Sequence, residues 1–161
     1  MSQKKNKLIL NFILIFNIFV LLAAYFIEYG LGHQPCNLCL IERVPHIFSI
    51  IIILIYLFFQ KFEKISLIIL SLVFFSAALI AFYHFGIEQG FFKESFVCDS
   101  NILSEDLSKE TLLNDLKRMP VSCKNVTFKI FGLSLATFNI FISLILGVIT
   151  TKLFLNYEKN R

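Results

Sequence analysis

Ile65-Ser-Leu-Ile-Ile-Leu-Ser-Leu-Val-Phe-Phe-Ser-Ala-Ala-Leu-Ile-Ala-Phe-Tyr83 runs without one charged side chain. At 1.5 Å per residue, a helix of about 20 apolar residues crosses roughly 30 Å of membrane hydrocarbon. Three further stretches read the same way: Leu8–Ile27, Val44–Phe59 and Ile130–Thr150. The second is short and reaches full length only if its helix begins upstream, near Cys36. Lipid offers no hydrogen bonds, so spanning segments must satisfy their backbone internally. A membrane barrel would alternate apolar and polar positions, and these runs do not. The pattern predicts an all-α fold, a transmembrane four-helix bundle.

Composition agrees. Of 161 residues, 57% are hydrophobic, 16% are charged and 20 are Phe. Soluble domains are about 45–50% apolar and about 25% charged. A soluble core of this size could not bury the excess, so the remaining apolar surface needs lipid as its partner. The length suits one four-span membrane domain over residues 1–161, with connections at 28–43 and 84–129 on one side. The first run follows Lys4, Lys5 and Lys7 but exceeds the about 7–15 apolar residues of a signal peptide and shows no clear cleavage site. It reads as a retained helix.

Four spans place both termini on one side, and the Lys/Arg bias sets which. Lys4, Lys5, Lys7, Lys61, Lys64, Lys152, Lys159 and Arg161 lie on the terminal side, opposed there by Glu63 and Glu158 alone. The other two connections carry seven Lys/Arg and nine Asp/Glu. The termini are therefore expected in the cytoplasm. The net charge of +4 follows from this asymmetry and calls for no nucleic-acid partner. Cys36, Cys39, Cys98 and Cys123 all fall on the other side, where an oxidising compartment favours disulfides.

The first outer connection reads His33-Gln-Pro-Cys36-Asn-Leu-Cys39-Leu-Ile-Glu42-Arg43. Pro35 suits the first position of a helix. Cys36, Cys39 and Arg43 then share one face at i, i+3 and i+7. A helix N-terminus and a guanidinium both favour the thiolate, the reactive form of cysteine. Plainer readings stand beside this one. The pair is also half of a zinc knuckle, but Cys98 and Cys123 are 25 positions apart and form no second one, so no metal centre is expected. It is also compatible with a structural disulfide, and Arg43 with an interfacial anchor. Pro45, with His46 beside it, either kinks the second helix or marks its start.

In the second connection, His84 and Glu88 stand at i, i+4 as span three closes on glycines. Ile102–Met119 carries Leu112, Leu116 and Met119 at helical spacing and reads as a short amphipathic helix on the membrane surface. A packed linker helix fits the same pattern. The small residues of Phe131-Gly132-Leu-Ser-Leu135-Ala-Thr, at the start of the last span, suit close helix approach.

The string Pro35-Cys36-Asn-Leu-Cys39-Leu-Ile-Glu42-Arg43, an outer cysteine pair and Phe131-Gly-Leu-Ser together resemble the DsbB disulfide bond formation proteins, over nearly the whole chain. The resemblance implies a bacterial inner-membrane oxidoreductase that re-oxidises a periplasmic DsbA-like thiol oxidase and passes electrons to a quinone, ubiquinone or menaquinone. It implies that Cys98 meets the partner, that Cys123 pairs with it and exchanges with Cys36, and that Cys39 faces the quinone. Arg43, His84 and Leu135 are implied as quinone contacts. DsbA-type oxidants sit near about −120 mV, far above structural disulfides below about −300 mV, so their re-oxidation needs a strong acceptor. The four-span thiol–quinone plan also resembles vitamin K epoxide reductases, which run electrons from thiols to a quinone epoxide. The alternative from another class is a non-enzymatic membrane accessory protein with two structural disulfides.

Overall fold

The computed structural model describes residues 2–59, 62–93, 98, 122–124, 128–130 and 132–159. Helix α1 (Ser2–Tyr25) runs into a π-helical turn, Phe26–Gly30; α2 is Asn37–Phe58, α3 is Glu63–Glu88 and α4 is Leu135–Lys159. All four helices are long and apolar enough to cross a membrane. The chain is a multi-pass membrane protein. The surface helix expected at 102–119 lies outside the described residues.

Three boundaries are set by local features. Helix α2 does begin near Cys36, and Pro45 lies inside it. The ring withholds one N–H from the helical ladder without ending the helix. Span four begins at Leu135, because β1 (Lys129–Ile130) and β2 (Leu133–Ser134) form an antiparallel hairpin ahead of it. Gly132 turns that hairpin at φ 82°, a left-handed conformation open to glycine. Span three runs on to Glu88 and ends in a Schellman closure: Phe91 N–H donates to Gly86 carbonyl at 2.8 Å and Gly90 N–H to Ile87 carbonyl at 3.0 Å.

The bundle core is Leu10, Ile13, Ile53, Tyr56, Leu67, Leu70, Phe74, Leu146 and Leu153. Facing outward, Phe12, Phe19, Leu72, Leu79 and Phe141 are more than 60% exposed, as a lipid-facing surface requires. Helices α3 and α4 approach closely at small residues. Ala77, Ala78 and Ala81 are buried, and a Cβ on Gly147 would meet the Phe75 ring at 3.3 Å. Ser71 and Thr151 hydroxyls bond across the same interface at 2.7 Å, a favourable polar contact inside lipid.

One end of the bundle is tied by charge. The Asn6 amide donates to buried Glu63 at 2.9 Å, and Lys64 meets Glu158 on the surface. The starts of α1 and α3 therefore sit together with the end of α4. Asn6→Leu leaves a buried carboxylate oxygen without its donor and is expected to cost about 1–3 kcal/mol. Lys64→Ala breaks an exposed pair and should cost less than about 1 kcal/mol. Unfolding midpoints of the two variants in detergent micelles check the ordering.

Candidate redox site

The opposite end of the bundle gathers the cysteines. Cys36 is the N-cap of α2, and its sulfur accepts the Cys39 N–H at 3.2 Å. Pro35 therefore stands before the cap rather than at the first helical position. The sulfur takes the place that a serine or aspartate oxygen fills in an ordinary cap. Cys36 and Cys39 form one disulfide, with Cα atoms 5.1 Å apart, and Cys98 and Cys123 form the other, at 5.6 Å. Cys36, Leu38, Ile87, Cys98 and Cys123 share one buried cluster, with Cys39 and Tyr83 against it.

His84, from the last turns of α3, reaches this cluster. Its Nε2 is 3.5 Å from the Cys36 sulfur, and its Nδ1 is 2.6 Å from Glu42 Oε1. A carboxylate can only accept, so Nδ1 carries the hydrogen and Nε2 turns toward sulfur. The other Glu42 oxygen accepts the Asn139 amide from α4 at 2.8 Å. The Asn139 carbonyl oxygen accepts the Ser143 hydroxyl at 3.2 Å and faces His46 Nε2 at 3.0 Å. His46 Nδ1 is 2.7 Å from Asn17 Oδ1 on α1, and the Asn17 amide donates to Ile13 carbonyl at 2.8 Å. A continuous polar chain thus crosses all four helices and ends on the Cys36 sulfur.

Arg43, on the cysteine face of α2, pairs with Glu28 at 2.5 Å and lies 4.8 Å from the centre of the Tyr25 ring. Glu28 belongs to the π-helical turn that follows α1. Cys36, Cys39, Arg43, His84 and Leu135 all line one cavity of about 380 Å³, and Cys123 reaches its wall. Phe16, Phe19 and Val20 of α1 and Phe138 and Ile142 of α4 supply apolar walls. Cys98 is buried in the cysteine cluster.

Sequence reasoning missed Glu28, Asn17 and Asn139 and assigned Glu42 no role. The available signal was isolated polarity: Asn17, His46 and Asn139 each interrupt an apolar run, and such residues in a span point inward and mark function. Chemically, Cys36, His84 and Glu42 stand as sulfur, base and orienting acid. Asn139→Leu would leave Glu42 Oε2 buried and unpaired, costing about 1–3 kcal/mol. Ser143→Ala removes one of two contacts on the Asn139 oxygen and should cost less than about 1.5 kcal/mol. Unfolding of both variants in micelles measures the difference.

Comparison with known proteins agrees with this layout. The family model described as "Disulfide bond formation protein DsbB" matches residues 6–153. "Uncharacterized protein RP370" of Rickettsia prowazekii (strain Madrid E) is 31% identical over 161 residues, covering 98% of this chain and 93% of that protein. No solved structure matches. With nearly its whole length matched and both cysteine pairs at one end of four spanning helices, the chain belongs to the DsbB family of disulfide bond formation proteins.

Proposed function

We propose that the protein is a thiol:quinone oxidoreductase that re-oxidises a DsbA-like thiol oxidase and so sustains protein disulfide formation. The observation that carries this reading is the joint placement of the two disulfides: they pack in one buried cluster, and Cys36, Cys39 and Cys123 all touch the same apolar cavity. The Lys/Arg bias supports an orientation with the Asn6–Glu63 end in the cytoplasm and the cysteine end in the periplasm of a bacterial inner membrane.

The cavity fits a quinone. Its volume lies in the range of small-molecule sites, and its walls are apolar with a few convergent polar groups. Arg43, Leu135 and His84 would hold the ring, with the choice between ubiquinone and menaquinone left to the tail and ring substituents. A bound quinone supplies a sink for two electrons and two protons.

The thiol steps follow from the protein's own residues. A thiolate of the reduced partner attacks Cys98, forming a mixed disulfide and releasing Cys123 as thiolate. Cys123 attacks Cys36, opening the Cys36–Cys39 bond and leaving Cys39 as thiolate. The partner's second thiol displaces Cys98 and leaves as the oxidised partner. Cys98 then attacks Cys123, restoring the outer disulfide and releasing Cys36. His84 takes or returns the Cys36 proton at Nε2, held in register by Glu42. The N-terminus of α2 and Arg43 stabilise Cys39 as thiolate. One partner dithiol is oxidised per cycle, and the inner pair holds its two electrons.

The purified protein should oxidise a reduced DsbA-like dithiol only when quinone is present. Turnover without quinone, or full activity in Cys39→Ala, would sink the reading. A partner lacking its second cysteine should be captured as a mixed disulfide, and Cys98→Ser should abolish capture. A non-enzymatic accessory protein would capture nothing in either form. His84→Gln is expected to lower kcat about a hundredfold, the scale of a lost general base. Arg43→Met should raise the quinone KM at least about tenfold, the loss of about 1.4 kcal/mol of binding.

A further inference from the structure

Three electron-rich groups face one another beside the inner pair. The Cys36 sulfur, the Cys39 sulfur and a His84 ring nitrogen all lie within 4.8 Å of one another. Glu88, one turn after His84, brings Oε1 to 3.6 Å from the same Nε2. Its side chain is only 4% exposed, and its Oε2 has no hydrogen-bond partner among the described residues. A buried carboxylate oxygen without a partner is costly, and it calls for an explanation such as an ion. The carboxylate flanks the three-atom cluster on its imidazole side and stands outside the cluster itself.

We propose that in the dithiol state Cys36, Cys39 and His84 bind a single thiophilic divalent cation of the zinc type, with Glu88 turning in to complete the set. The site has the two parts such an ion needs. Two thiolates, one imidazole and one carboxylate make a four-ligand set of the kind zinc takes. The Glu42 carboxylate holds Nδ1–H of His84 and presents Nε2 outward, the carboxylate–histidine arrangement that orients metal-bound imidazoles. The Cys39 N–H on the Cys36 sulfur adds a donor that favours thiolate. The disulfide of the oxidised state uses both sulfurs, so the site opens only on reduction. Binding displaces the two thiol protons, with no change in oxidation state. A cation held there occupies the thiolates that would otherwise pass electrons on, so metal arrests the relay in its reduced state.

This inference rests on the inner pair cycling through the dithiol form, but its test needs neither quinone nor partner. The full-length protein in micelles, freed of quinone, is reduced with a phosphine and titrated with Co²⁺, then with Zn²⁺. One Co²⁺ per chain should bind with thiolate-to-cobalt charge-transfer bands and the intense visible bands of four-coordinate cobalt, and Zn²⁺ should displace it. The untreated disulfide form should show neither. His84→Gln and Glu88→Gln should each weaken Zn²⁺ binding at least tenfold, and Cys39→Ser at least a hundredfold. The double variant Cys98→Ser/Cys123→Ser should bind as the parent does, since those sulfurs are not ligands. Absence of the bands in reduced protein, their presence in oxidised protein, unchanged affinity in His84→Gln or in Glu88→Gln, or loss in the Cys98/Cys123 double variant would each overturn the assignment. Loss of the quinone-dependent activity alone leaves this titration readable, and a failed titration leaves the oxidase assay readable.

Discussion

The Glu42 carboxylate is the constraint around which the redox end is arranged. An ion at the edge of a membrane bundle is tolerated only when it is fully hydrogen-bonded or paired. Glu42 meets that condition by drawing one donor from each of two other helices, His84 on α3 and Asn139 on α4. Each donor is in turn fixed by a further contact, so the carboxylate sets the rotation of α3 and α4 about α2. Leucine packing alone would leave those rotations soft, because lipid is as apolar as the core and supplies little hydrophobic drive between helices. The same bonds that fix the bundle aim His84 at the Cys36 sulfur.

That economy has a chemical consequence. A histidine whose Nδ1 donates to a carboxylate presents a basic Nε2, and the residue it faces becomes the natural proton donor or ligand partner. Cys36 is also the helix cap, so its sulfur accepts a backbone N–H at the positive end of α2. Cys39, one turn on, stays half-buried at the cavity wall beside the Arg43 face. The two cysteines of one C-x-x-C are therefore placed unequally. One is buried against a base and the outer disulfide, and the other is turned toward the apolar cavity.

The four helices and the gathering of all cysteines at one end were legible in the chain, because hydropathy and charge bias are summed over many residues and survive local detail. The family motif was legible for the same reason that it is specific, since five defined residues fall in nine consecutive positions from Pro35 to Arg43. The hairpin at 129–134 was not, because a two-residue strand leaves no periodicity and Gly132 reads equally as a helix-packing residue until its φ is seen. The polar chain was half legible. Asn17, His46 and Asn139 are visible as single polar residues in apolar runs, but which meets which depends on helix rotation, and no spacing along one helix encodes that.

Glu28 shows where local sequence reasoning stops. By ordinary 3.6-residue periodicity it falls on the buried face of α1, with Leu10, Ile13 and Asn17, so its inward aim follows the repeat while its partner does not. Within the π-helical turn at Phe26–Gly30 it meets Arg43. A π turn sacrifices good helical hydrogen-bond geometry, so it persists where a contact compensates for it. The Arg43–Glu28 pair and the Tyr25 ring under the guanidinium supply that contact. The end of α1 and the position of Arg43 are thus linked: the arginine that faces the cavity is held there by a carboxylate and a ring from that end. A guanidinium restrained this way enters the site already desolvated and aligned, which lowers the ordering cost of any anionic or carbonyl group that it meets there.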